Sequence, residues 1–149
     1  IFDLPIFYYS KNKKYFSKRP EDENIKKDIW PRFPIAGSCI SFKRIFFKKF
    51  YKLINKKKFS MLTLDFRLAV IANTILDDFN ILDKHLTFYF QDKTGESHSK
   101  FKKFSKNWWL RRKQAHDFMT MINKKYKTSL KTKSDYLTTN VIEKIYNYI

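Results

Sequence analysis

SFKRIFFKKFYKLINK, residues 41–56, decides how this chain is read. Phe42, Ile45, Phe46, Phe50, Leu53 and Ile54 recur at the three-and-four spacing that gathers side chains on one side of an α-helix, and Ser41 stands where a capping residue is expected. The opposite face is almost wholly basic, filled by Lys43, Arg44, Lys48, Lys49 and Lys52, with Lys56, Lys57 and Lys58 following. No carboxylate occurs between Asp28 and Asp65. A solvated surface helix ordinarily interleaves opposite charges at i and i+4, each pair contributing about 0.2–0.5 kcal/mol. Here that compensation is missing. The segment predicts an amphipathic helix with one side for a core and one cationic side for a partner.

Downstream, Thr63 to Phe79 predicts a second helix through Leu64, Leu68, Ile71, Ile75, Leu76 and Phe79, with Asp65 at the positive end of its dipole. Asp77, Asp78 and Asp83 make this middle region neutral to acidic, so it reads as core. His85 to Asp92 alternates with β-branched and aromatic content and predicts a strand, closed by a turn at Lys93-Thr94-Gly95, with no evident hairpin partner. Ser97 to Asn107 reads as a loop in which Lys100, Lys102, Lys103 and Lys106 surround Phe101 and Phe104. A third helix is expected from Trp108 to Tyr126 through Trp108, Ala115, Phe118, Met119, Ile122 and Tyr126. Thr128 to Lys133 is a basic linker, after which Ser134 is expected to cap a last helix with Leu137, Val141, Ile145 and Tyr148 as its stripe.

Upstream, all four prolines, Pro5, Pro20, Pro31 and Pro34, fall before Ser38, with the acidic patch Pro20–Asn24 among them and a short helix expected over Ile25–Trp30. Proline fixes φ and lacks a donor, which favours an extended arm with turns that orders against a partner or packs back on the chain's own core. The expected fold is therefore mostly α (α+β). A small core of about four helices with one short strand or hairpin occupies residues 39–149 as a single domain with basic loops, and residues 1–38 form an extended N-terminal arm.

The 149 residues suit one modest core, and 43% hydrophobic with 19% aromatic content excludes disorder throughout. Lys and Arg number 32 against 14 Asp and Glu, a formal charge of +18. Such self-repulsion is relieved by a polyanion: nucleic acid, an anionic membrane face or an acidic protein. Arginine is confined to Arg19, Arg32, Arg44, Arg67, Arg111 and Arg112, so lysine carries most of the charge. Lysine is a point charge on a flexible stem, suited to phosphate contact and shape recognition more than to bidentate reading of a base edge. Cys39 is the only cysteine, which excludes an internal disulfide. Charges interrupt every apolar run well short of the roughly 18–20 residues of a membrane span. The abundance of Lys, Phe, Tyr, Ile and Asn beside Gly37 and Gly95 as the only glycines resembles proteins written in AT-biased genomes, including mitochondrial ones. Ile1 fits a cleaved presequence, an unrecorded start or an organellar start codon, and Ile1–Tyr9, with Asp3 and no preceding basic region, does not read as a secretory signal.

Two basic blocks emerge. The first comprises Lys43, Arg44, Lys48, Lys49, Lys52, Lys56, Lys57 and Lys58; the second comprises Lys100, Lys102, Lys103, Lys106, Arg111, Arg112, Lys113, Lys124, Lys125, Lys127, Lys131 and Lys133. Both are expected to contact RNA phosphates, the competing reading being a merely solvated lysine face. Trp108 and Trp109, beside Arg111 and Arg112, are candidates for stacking on unpaired bases, with core packing or protein contact as the alternative. His85, His98, His116 and Cys39 lack metal-ligand spacing, a Cys39–His116 nucleophilic pair has no orienting group, and two isolated glycines cannot cradle a phosphate. Neither a cofactor nor a metal nor an enzymatic activity is expected.

Ser105-Lys106-Asn107-Trp108-Trp109-Leu110 through Asp117, and then Lys131-Thr132-Lys133-Ser134-Asp135-Tyr136, resembles the basic lead-in of heat-shock-type rRNA 2′-O-methyltransferases. The resemblance is restricted to the last part of the chain, has insertions, and carries over no catalytic residue. The expectation is a structural RNA-binding protein of an organellar ribosome in the mitochondrial matrix, contacting ribosomal RNA through its lysines and neighbouring ribosomal proteins through its arm and aromatic surface, with no small-molecule substrate and no transmembrane segment. The alternative is a peripheral subunit or assembly factor of a mitochondrial membrane complex that lays residues 41–56 on anionic lipid. A helix-turn-helix in the last two helices is disfavoured because Lys124–Lys133 is longer than the usual turn.

Overall fold

A computed structural model describes residues 6–10, 13–16, 37–55, 57–76, 80–90, 100–128 and 135–148. Helices dominate, as expected: α1 Arg44–Ile54, α2 Leu64–Ile71, α3 Lys106–Tyr126 and α4 Asp135–Tyr148. Three short strands accompany them, β1 Ile6–Ser10, β2 Lys13–Phe16 and β3 Phe88–Phe90. The prolines, the Ile25–Trp30 helix, the Lys93–Gly95 turn and the Ser134 cap lie outside the described residues.

The described residues form two compact units. The first holds β1, β2, β3, α1 and α2; the second holds residues 58–62, α3 and α4. In the first, β1 and β2 pair antiparallel, Phe7 opposite Tyr15, with an irregularity between Tyr8 and Ser10. On its other side β1 pairs parallel with β3, Ile6 opposite Phe88 and Tyr8 opposite Phe90, giving the order β2-β1-β3. Sequence reading found the β3 strand and no partner for it. A parallel partner has no turn signature because it is reached through a long connection, here one carrying α1 and α2. Part of the expected arm is thus built into this sheet.

α1 begins at Arg44 with Lys43 as its capping position and no side-chain cap, so Ser41 does not serve that role. Phe50, Leu53 and Ile54 are buried, whereas Ile45 is 74% and Phe42 43% exposed. Including Ile45 in the core stripe was an error of angle: at about 100° per residue it lies about 140° from Phe50. α2 buries four consecutive residues, Leu68, Ala69, Val70 and Ile71, so its C-terminal half is enclosed on all sides, whereas Leu64 at its start, expected in the core stripe, is 52% exposed. It gives way to a π-helical turn at Ala72–Leu76. There the Thr74 hydroxyl donates to Val70 O at 2.6 Å, competing for a carbonyl that the α-helical ladder would use. Arg67 Nη1 donates to Ile54 O, closing the C-terminal end of α1 with a cation.

The second unit is organised around α3, which is 21 residues long. Ser105 caps it, its Oγ accepting from Trp108 N at 3.3 Å, so the helix starts two residues before the expected Trp108. Ala115, His116, Phe118, Met119 and Ile122 form the buried side. The segment after α1 completes this core: Phe59 meets the Phe118 ring edge-on at 5.2 Å, and Met61 N donates to Gln114 Oε1 at 2.9 Å. α4 departs most from expectation. Leu137, Val141 and Ile145, its supposed core stripe, are 72%, 58% and 50% exposed, while Thr139 is fully buried. The reason is the opposite side's polar attachments: Arg112 to Asp135, Tyr136 against the His116 ring, and Tyr146 Oη donating to Phe104 O at 3.3 Å.

Candidate nucleic-acid interface

In the first unit the cationic side of α1 is what the residue types dictate. Lys43, Arg44, Lys48, Lys49 and Lys52 are all exposed, as is Lys57 beyond the helix, because burying Phe50, Leu53 and Ile54 turns them outward. Among the described residues none of these cations is in an ion pair. Two further features were not anticipated. Ile45 sits among the lysines rather than against the core, and Phe42, Phe47 and Tyr51 form a run of ring contacts along the helix, at 5.8 and 5.6 Å between centroids. Tyr51 is 51% exposed. Its polar hydroxyl and the flanking lysines were the signal that could have found it. Lys56 lies outside the described residues.

In the second unit Lys58, Lys100, Lys102, Lys103, Lys106, Lys124, Lys125 and Lys127 are exposed. The two basic blocks therefore belong to different units, with Lys58 the exception that joins the second. Lys131 and Lys133 fall outside the described residues. Arg112 and Lys113, both expected to meet phosphate, are instead engaged internally: Arg112 with Asp135, and Lys113 with Asp117 at 2.7 and 2.9 Å. Arg111 is half-buried with its guanidinium 4.6 Å from the centre of the Phe101 ring. Both arginines of α3 are thus engaged within the unit, and its described lysines other than Lys113 face outward.

Trp108 and Trp109 are half-buried and meet edge to face at 4.6 Å. Arg112 lies 5.1 Å from the Trp108 ring centre, which occupies that indole further. The aromatic ring that does project is Phe104, 57% exposed. Sequence reading passed over it, because nothing in a Phe between a Lys and a Ser announces which way it points.

Burial shifts two groups among the described residues: it lowers the Arg67 guanidinium in the first unit, and it acts on His116 in the second. The His116 side chain is 3% exposed, with Nε2 3.5 Å from Asp135 Oδ2. Burial pushes its imidazole below the ordinary value near 6.5, the Asp135 carboxylate pulls the other way without offsetting this, and Arg112 adds to the downward push. An open cavity of about 310 Å³ in the first unit is lined by Phe42, Thr63, Leu64, Asp65 and Leu68. Asp65 Oδ1 there already accepts from Phe66 N at 2.8 Å. The lining is otherwise apolar apart from Thr63. Among the described residues no three His, Cys, Asp or Glu side chains cluster as metal ligands would, and no helix is long and apolar enough to cross a membrane.

Comparison of the chain with known protein families, with curated proteins and with solved structures finds no match. The reading of function therefore rests on the residues themselves.

Proposed function

We propose that this chain is a structural RNA-binding protein that contacts RNA phosphates through exposed lysines, and that its setting is a mitochondrial ribosome. The observation that carries the reading is the outer side of α1. Five cations, Lys43, Arg44, Lys48, Lys49 and Lys52, are exposed there without an ion pair among the described residues, on a chain of formal charge +18. Packing them together costs free energy that phosphate oxygens would offset, and the lysine character suits contact that follows a backbone rather than a base sequence. The ribosomal and mitochondrial setting is supported by composition alone.

The experiment is binding of the full chain to structured RNA across a salt series. At roughly 6–10 phosphate contacts, affinity is expected to fall by about 10³–10⁵ between roughly 50 and 200 mM salt. Reversing Lys43, Lys48, Lys49 and Lys52 to Glu should abolish binding and assembly while leaving the circular dichroism spectrum unchanged. A salt-independent affinity, or unchanged assembly of the reversed variant, would remove α1 from the contact surface.

One observation favours the membrane-surface alternative: Ile45 and Tyr51 project among the lysines of α1, as interfacial helices require. Against it, Phe50, Leu53 and Ile54, the apolar side such a helix would insert, are committed to the first unit's core. Binding to anionic liposomes with no affinity for RNA would reverse the preference.

A further inference from the structure

The segment KFKKFSKNWW, residues 100–109, concentrates cations and rings ahead of and into α3. Within it Phe104 combines three properties that are rare together. Its backbone is left-handed, with φ at 65°, a region that a side chain with a β-carbon avoids. The residue is 57% exposed although a core lies within the same unit. And it is held from two directions: the ring by Trp108 at 5.4 Å and Trp109 at 6.2 Å, the backbone by Tyr146 Oη of α4 donating to its carbonyl.

The capping of α3 does not explain this conformation. Ser105 makes the capping bond from an ordinary extended backbone, φ −71° and ψ 163°, whatever Phe104 does. Nor does burial explain it, since the residue remains mostly exposed. What the arrangement achieves is an aromatic ring held from two sides and offered outward, with exposed Lys102, Lys103 and Lys106 within two residues of it in sequence and the Lys103 Nζ 5.0 Å from the ring centre.

We infer that Phe104 is a stacking platform for an unpaired nucleobase, with the neighbouring lysines taking the phosphates on either side of it. This rests on the RNA-binding reading and moves the stacking role from the tryptophan pair, whose rings brace the platform, to the phenylalanine they brace. Any base has a π-face, so the site takes single-stranded or looped RNA without regard to sequence. A base already stacked inside a duplex has no free face to offer. A protein partner is the other possible occupant, but a docking protein would have to bring carboxylates to meet these lysines.

The test measures affinity of the full chain for a labelled single-stranded RNA and for a blunt duplex of equal length at one salt concentration. Three proteins are compared: the wild type, Phe104→Leu and Phe104→Trp. The leucine keeps apolar bulk and the same backbone demand while removing the π-face, and the tryptophan keeps both. Expected for Phe104→Leu is a loss of at least about 5-fold on the single strand, with duplex affinity within about 2-fold of wild type and Phe104→Trp retaining single-strand binding. An unchanged single-strand affinity, or equal losses on both RNAs, overturns the platform while leaving the phosphate-binding reading in place. Loss of a protein partner in Phe104→Leu with RNA binding intact also overturns it. Failure of the wild type to bind either RNA removes the reading beneath it as well.

Discussion

His116 shows how one side chain sets a pH limit. It is buried against Tyr136 and Asp135 where α4 meets α3, and burial holds it neutral below the ordinary imidazole value. The unfolded chain takes up a proton near pH 6.5 while the folded chain resists, so the unfolded state binds more protons and stability rises with pH through that window. The sign is therefore loss of stability as pH falls through and below the ordinary imidazole value near 6.5, levelling once the folded imidazole also titrates. Melting curves across this range should show it, and His116→Gln, which cannot charge, should flatten the slope. A wild-type melting temperature that climbs on acidification would contradict the buried neutral assignment. Neither the burial of His116 nor that of Thr139 was legible in the sequence. Both follow from which side of α4 packs, and polar attachments chose that side against three aliphatic residues.

At the scale of elements, legibility divides along a physical line. Each of the four helices among the described residues lies within a stretch that apolar spacing marked as helical, because several residues per turn vote together; α4 was marked by a stripe, Leu137, Val141 and Ile145, that turns out to face solvent. Which position belongs to which side was less secure, and Ile45 and Phe50 separate the two questions. Both were read into one stripe, yet Phe50 is 2% exposed and Ile45 74%. Phe50→Ala should cost about 3–5 kcal/mol in chemical denaturation, enough to unfold the first unit, because it removes a packed ring and leaves a cavity. Ile45→Ala should stay within about 0.5 kcal/mol. Equal costs would show that α1 is turned differently on its core. The β1–β3 pairing was out of reach for a different reason: parallel register is fixed by distant residues, while sequence patterns report local ones. The candidate site divides likewise. Lysine blocks are visible as composition, and the i,i+4 spacing of Lys113 and Asp117 on an expected helix announced their pairing, but Arg112 meets Asp135 only through the packing of α4 on α3, and the outward Phe104 depends on a backbone angle that phenylalanine does not announce.

For the molecule as a whole, the governing quantity is the excess of 32 basic over 14 acidic side chains. In free solution those charges repel one another more in the folded chain than in the expanded one, so the isolated protein is expected to gain stability as salt screens them. Salt and polyanion then act in the same direction on folding and in opposite directions on binding. Added salt should raise the melting temperature of the protein alone, and inorganic polyphosphate at low salt should raise it further by mass action. At about 100 times the dissociation constant the gain is about 2.7 kcal/mol, or roughly 5–10 °C for a chain of this size. Raising salt in the presence of polyphosphate should first erase the polyanion's contribution and leave only that of screening. A neutral polymer such as dextran provides the control, since crowding without charge gives a far smaller shift. If the melting temperature proves indifferent to both salt and polyphosphate, the cationic surface is not under electrostatic strain and has no need of phosphate to relieve it.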